Sequence, residues 1–243
     1  MHQLLFTEIL NRFFAGPVTA LLQALGIHPS HPEAPIPDHV SMQILVVLIL
    51  TALFVAIRLR LSVDNPGGLQ HAMEGIYGFV GNLGHEIIGH HYQEYLPYLI
   101  ALGVFILTSN LIGLVPGLET PTGKPVVPLG CALVTWFYYH IQGLRRNGMV
   151  GYIKHFMGPI WWLAILMFPI EIFSHLARVM SLTIRLFANM FAGEMVTLVF
   201  FSLIPIGVPV IFEGFHIGVA FIQTYIFVLL ACVYLGEATA HEH

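Results

Sequence analysis

Glu171, Ser174, Arg178, Ser181, Arg185 and Asn189 follow one another at spacings of 3, 4, 3, 4 and 4. At about 100° per residue, these six side chains share one face of a helix. The segment around them is mostly Leu, Ile, Phe, Met and Val. Carboxylates, hydroxyls and amides on such a face can hold and hand on protons, and a guanidinium sets the charge state of any acid that approaches it. Glu171 is a candidate ion-pair partner for Arg178. Arg185 has no acid one turn away; Glu194 is nine residues on and about 180° round the helix. An arginine at the centre of a membrane span costs at least about 2.5 kcal/mol on the mildest scales. The spacing therefore predicts an acidic partner for Arg185 from elsewhere, such as another subunit.

A second, sparser stripe of Glu213, His216, Gln223 and Tyr234 occupies about one face of the next segment. Folding the two segments antiparallel across a turn at Pro205, Gly207 and Pro209 predicts Glu194 close to Glu213 and His216. Acids, imidazole and amides in a row are the groups of a proton or water path. Hydrogen bonding between helices is the competing use of His216 and Gln223.

Other reactive groupings carry less. His85-Glu86-Ile87-Ile88-Gly89-His90-His91 looks like a zinc-protease signature, but that chemistry needs two histidines four apart, and position 89 is Gly. His85 and His90 are about 500° apart round a helix and face different ways. No metal or cofactor site is expected. His28, His31, His241 and His243 read as linker and tail residues. Neither a Gly-x-Ser-x-Gly nucleophile nor a Gly-x-x-x-x-Gly-Lys phosphate loop is present, so neither hydrolysis nor ATP binding is expected of this chain. Cys131 and Cys232 lie far apart in apolar runs and read as free thiols.

The elements that must position these groups follow from composition. Of 243 residues, 57% are hydrophobic and only 9% charged, against about 25% charged in soluble proteins. Nine Lys/Arg and thirteen Asp/Glu cannot cover the surface of a soluble domain of this size. Lipid is the solvent that fits. A net charge of −4 excludes the basic patch of a nucleic-acid binder. Charge-free runs at 39–57, 95–118 and 125–144 each suffice to cross hydrocarbon, which takes about 20 residues. From Gly158 to Pro205 a longer apolar stretch carries the first polar stripe, and Pro209 to Leu235 carries the second. The expected fold is an all-α integral membrane protein. It has about five crossings (39–59, 95–115, 125–144, 159–204 and 208–236), the last two forming a long tilted helical hairpin.

Lys and Arg set the orientation. Arg58 and Arg60 follow the first run, and Arg145, Arg146 and Lys154 follow the third, so both loops are expected in the cytoplasm. The loop Pro116–Lys124 and the N-terminus then lie outside, and the C-terminus inside. Residues 67–93 contain Glu74, Glu86 and several histidines, too polar to span; an amphipathic helix at the cytoplasmic interface is expected. Residues 1–37 form an outer segment in which Leu4–Leu25 suits an outer-surface amphipathic helix. A proton-coupled secondary transporter is the rival class. It predicts paired halves with Gly-broken helices, and no such repeat is visible.

Ser181-Leu-Thr-Ile-Arg185-Leu-Phe-Ala-Asn189-Met-Phe-Ala-Gly-Glu194 resembles the signature of the a subunit of bacterial F-type ATP synthases. The ending Gln223-Thr-Tyr-Ile-Phe-Val-Leu-Leu-Ala-Cys-Val-Tyr234-Leu resembles the family's closing pattern, and Asn110 in Ser109-Asn-Leu-Ile-Gly-Leu-Val-Pro116 its second-span motif. The likeness runs from about residue 38 onward. It implies an inner-membrane stator subunit that does no bond chemistry, with the ring of c subunits, the b subunit of the peripheral stalk and the rest of the FoF1 complex as partners. Arg185 matches the essential arginine facing the c-ring. Asn110, Asn189, Glu194, His216 and Gln223 match a half-channel open to the periplasm, with Glu213 or Glu119 as further outer groups. Glu171, Ser174, Arg178 and Ser181 match a half-channel open to the cytoplasm. Gly113 departs from relatives that carry Asp there.

Overall fold

The computed structural model describes residues 4–26, 34–63, 66–115, 117–157, 164–204 and 207–240. His28, His31, His241 and His243 lie outside these, as do residues 159–163 and Pro205. All described secondary structure is helical: α1 (Leu5–Ala24), α2 (Asp38–Leu59), α3 (Gly68–Ile88), α4 (Leu96–Leu111), α5 (Val126–Met157), α6 (Ala164–Leu203) and α7 (Val208–Thr239). Single 3₁₀ turns at Tyr92–Glu94, Ile112–Leu114 and Pro121–Gly123 complete the connections.

The helix ends follow local rules. Asp38 and Arg58 sit in the first and last turns of α2, where the helix dipole favours an anion and a cation respectively. A proline in the first turn starts both α4 and α7, where its missing N–H costs nothing. Pro209 is thus the opening of α7 rather than part of the turn, which Gly207 makes at φ 92°. Gly148, at φ 69°, kinks α5.

Among the described residues, four helices are long and apolar enough to cross a membrane: Asp38–Leu59, Leu96–Leu114, Leu166–Leu203 and Val208–Thr239. The run 125–144 is helical too, as the first part of α5. Trp136, Tyr138, Tyr139, His140 and Gln142 leave it less apolar than those four.

α6 and α7 pack antiparallel, α5 lies along both, α4 packs on α7, and α3 rests on α4 and α7. Leu99, Ile106, Ala132, Leu186, Met190, Phe227, Ala231 and Leu235 are buried where these helices meet. Lipid tails are as apolar as leucine, so close packing and interhelical hydrogen bonds, rather than exclusion of water, hold such a bundle. Small residues allow it. A Cβ on Gly103 would stand 3.0 Å from Val228, and one on Gly236 would stand 3.2 Å from the Ile87 carbonyl oxygen.

The inner face of α3 buries Val80, Gly81, Leu83 and Gly84, while Glu74, His85 and Glu86 stay exposed. α1 meets the first turn of α2. Thr7 shares a 2.5 Å hydrogen bond with Ser41, and the Asn11 amide both donates to the Ile36 carbonyl and accepts from the Ile36 N–H.

Candidate functional site

The α6–α7 hairpin brings the two polar stripes together in register. Near its turn, Gly193 packs on the His216 ring, a Cβ there standing 3.2 Å from it. One further turn in, the Asn189 amide donates to Gln223 Oε1 at 2.6 Å. The 3₁₀ turn at Pro121–Gly123 closes over this end. Gly123 lies so close to Glu194 that a Cβ would be 2.9 Å from Oε2. Thr122 donates to Asn110 Oδ1 at 2.7 Å, and the Asn110 amide reaches Thr224 Oγ1 at 3.4 Å. Asn110, His216 and Gln223 are buried, and Glu194 is half-buried. His216 Nε2 and Thr120 Oγ1 are buried without a hydrogen-bond partner among the described residues. Glu213 is half-buried, one turn before His216, and Glu119 is exposed in the loop.

A second polar cluster occupies the opposite end of the hairpin. Arg178 pairs with Glu237 at 2.6 Å and lies over the Tyr234 ring, 4.8 Å from its centroid. Glu171 instead faces His175 at 3.4 Å. The expected Glu171–Arg178 pair is therefore not made: two helical turns separate them, about 10 Å, whereas His175 is one turn from Glu171. His175 Nδ1 is 2.7 Å from the Tyr139 hydroxyl, and His140 Nδ1 is 2.6 Å from the Tyr152 hydroxyl. Burial pushes the Tyr152 phenol up to about 12, with the Glu171 carboxylate adding to the rise and Arg178 opposing it. Tyr152, Glu171, His175, Arg178, Tyr234 and Glu237 line a cavity of about 20 Å³, room for a water molecule. Ser174 is half-buried beside His175.

Arg185 stands between the two clusters, half-buried, its Nη2 donating to Ser181 Oγ at 3.1 Å. It enters no ion pair with a described residue. Behind it, Leu182, Leu186, Met190, Phe227 and Ala231 form a buried apolar layer that separates the clusters. Beside it, Ala177, Ser181, Ala188 and Ala192 are exposed on one α6 face and leave room for another helix to come close.

Several members of these clusters lay outside the sequence reading. Glu237 falls past the expected end of the last span, but α7 runs on to Thr239 and keeps Glu237 one turn beyond Tyr234. His175 comes from α6, and Tyr139, His140 and Tyr152 come from the two sides of the α5 kink, whose contact no spacing announces. Thr122 and Thr224 are single hydroxyls joined only through Asn110. A Cβ on Gly113 would meet Thr120 Oγ1 at 1.8 Å, so Thr120 fills the space an Asp would need.

Residues 39–236 match the ATP synthase A chain family. The chain is 62% identical over 242 residues to ATP synthase subunit a of Koribacter versatilis, covering 100% of this chain and 99% of that protein. It is 50% identical over 233 residues to ATP synthase subunit a of Solibacter usitatus, covering 96% and 99%. It is 39% identical over 244 residues to ATP synthase subunit a 3 of Pelobacter propionicus, covering all of both. A match to most of the chain, together with full-length relatives well above 30% identity, settles the assignment: this chain belongs to the ATP synthase A chain family.

Proposed function

We propose that this chain is the proton-translocating stator subunit of a rotary ATP synthase in a bacterial inner membrane. In this reading Arg185 faces the carboxylate of a rotor ring of c subunits. The observation that carries it is an arginine at mid-span that no acid among the described residues pairs, beside an exposed strip of small residues. Such a cation needs an anion in hydrocarbon, and the strip admits a helix that brings one.

Asn110, Asn189, Glu194, His216 and Gln223 form the half-channel from the periplasm, with Glu213 and Glu119 at its outer end. Glu171, Ser174, Arg178 and Ser181 form the half-channel to the cytoplasm, joined by His175 and Glu237. The N-terminus lies outside and the C-terminus in the cytoplasm. A b subunit and the rest of FoF1 complete the assembly.

A protonated rotor carboxylate that reaches Arg185 loses its proton, because an opposite charge within a few ångströms favours the ionised form. The proton leaves through the Arg178–Glu171 cluster. The ionised site passes the arginine and is reprotonated from the Glu194–His216 side. His216 Nε2, buried without a hydrogen-bond partner among the described residues, is available to receive and release that proton. Because the half-channels are offset, a proton crosses only by riding the ring. Each charge moved yields about 2.3 kcal/mol per 100 mV.

Arg185→Ala should abolish both ATP-driven pumping and gradient-driven synthesis in inverted membrane vesicles, while passive proton leak through the membrane sector persists. Normal pumping by that variant defeats the reading.

A further inference from the structure

A basic cavity of about 460 Å³ lies between the turn before α4 and the middle of α5, lined by His91, Glu94, Tyr95, Gln142, Arg145 and Arg146. Glu94 bounds the charge-free run of α4, and Arg145 bounds that of α5. The cavity therefore sits where hydrocarbon gives way to headgroups. The one acid in its lining, Glu94, is engaged with His91, 3.7 Å from its Nδ1. Arg145 and Arg146 enter no ion pair with a described residue. His91 is held there at φ 74°, the only non-glycine residue of positive φ among the described residues, a conformation side chains rarely adopt.

A second, independent observation is apolar. Along the same α4–α5 seam, Tyr98 stacks on Tyr138 with ring centroids 3.8 Å apart, and the Tyr98 hydroxyl turns inward to Thr135 at 2.9 Å. The seam then opens into a cavity of about 520 Å³ lined by Tyr98, Leu102, Phe105, Gly130, Cys131 and Val134 among others. Gln142 and Val134 are about 12 Å apart along α5, well within the reach of one acyl chain.

We propose that this seam holds one anionic phospholipid, its phosphate between Arg145 and Arg146 and an acyl chain along Tyr98, Gly130 and Val134. Guanidinium groups match phosphate geometry, and basic pockets between spans on the cytoplasmic side suit anionic headgroups. Free phosphate would use the arginines but not the apolar groove, so the groove decides between the two sources.

The test uses the intact complex, purified, delipidated and re-exposed to phosphatidylglycerol or phosphatidylcholine, with bound lipid counted by native mass spectrometry. The wild type should retain phosphatidylglycerol in preference to phosphatidylcholine. Replacing Arg145 and Arg146 by Gln should weaken that retention about fivefold for each arginine lost. Gly130→Leu places a side chain in the groove, where a Cβ meets nothing within 4 Å, and should also expel the lipid while both arginines remain. Should the arginine variant fail to assemble, Gly130→Leu decides alone. Wild-type retention in Gly130→Leu overturns the proposal. So does inorganic phosphate that displaces the lipid from wild type but binds Gly130→Leu unchanged, with no lipid preference left to explain. A cross-link from Val134→Cys to a helix of another subunit, showing the groove to be a protein contact, overturns it equally.

Discussion

Gly123 holds the loop between α4 and α5 so close to α6 that a Cβ would stand 2.9 Å from Glu194 Oε2. The atom in the way is the end of a flexible side chain, so the backbone need not move. Gly123→Ala should therefore assemble normally but displace the Glu194 carboxylate, slowing proton flux through membranes stripped of the soluble catalytic sector; unchanged flux means Glu194 does not carry protons. Gly113 behaves differently. Its Cβ would meet both Thr120 Oγ1 at 1.8 Å and the Thr120 backbone nitrogen at 2.9 Å. Gly113→Asp should cost about 1–3 kcal/mol by overpacking, seen as a lower Tm of the complex, and Thr120→Gly alongside it should recover part of the loss. At this scale the sequence was legible where a residue repeats on a helix face, as from Glu171 to Asn189. It was opaque where a partner sits in a loop or on a distant helix, as with Thr122 or Tyr139.

The helices themselves could be read from gaps between charges, because hydrocarbon tolerates few of them. The α6–α7 antiparallel register followed from a Pro- and Gly-bearing turn between two long apolar stretches. What could not be read was how near α5 comes to α7. A Cβ on Gly143 would stand 2.5 Å from the Tyr152 ring and 2.9 Å from the Ala238 carbonyl oxygen. Asn147 donates to that same carbonyl at 3.1 Å. No periodicity announces this contact, because a glycine within an apolar run looks the same whether it faces lipid or a neighbouring helix. Gly143→Ala should force α5 away from α7 and lower the Tm of the complex, by about 1–3 kcal/mol of stability. Gly130→Ala, with nothing within 4 Å of its Cβ, should leave the Tm unchanged. Equal Tm values for the two variants would show that the close approach is not needed.

Across the whole molecule, two polar clusters are kept apart by Leu182, Leu186, Met190, Phe227 and Ala231. If the offset path operates, this apolar layer is its insulation. Leu186→Asn puts an amide into the middle of the layer and should raise passive proton conductance, measured as faster collapse of an imposed pH gradient in vesicles lacking the catalytic sector. A conductance equal to wild type would mean that the clusters are insulated elsewhere. The overall class, all-helical and membrane-embedded, was legible from composition alone. The separation of the clusters was not, since it depends on which apolar residues turn inward once four helices have met.

α6 buries only 11% of its most apolar window within its own chain, and Arg185 lies on its open side. Until a neighbour arrives, a newly inserted copy carries a largely uncovered helix and, on it, a cation that no described residue pairs. Such an orphan is the form that quality-control proteases recognise, so the abundance of this subunit should follow the supply of its assembly partners rather than its own rate of translation.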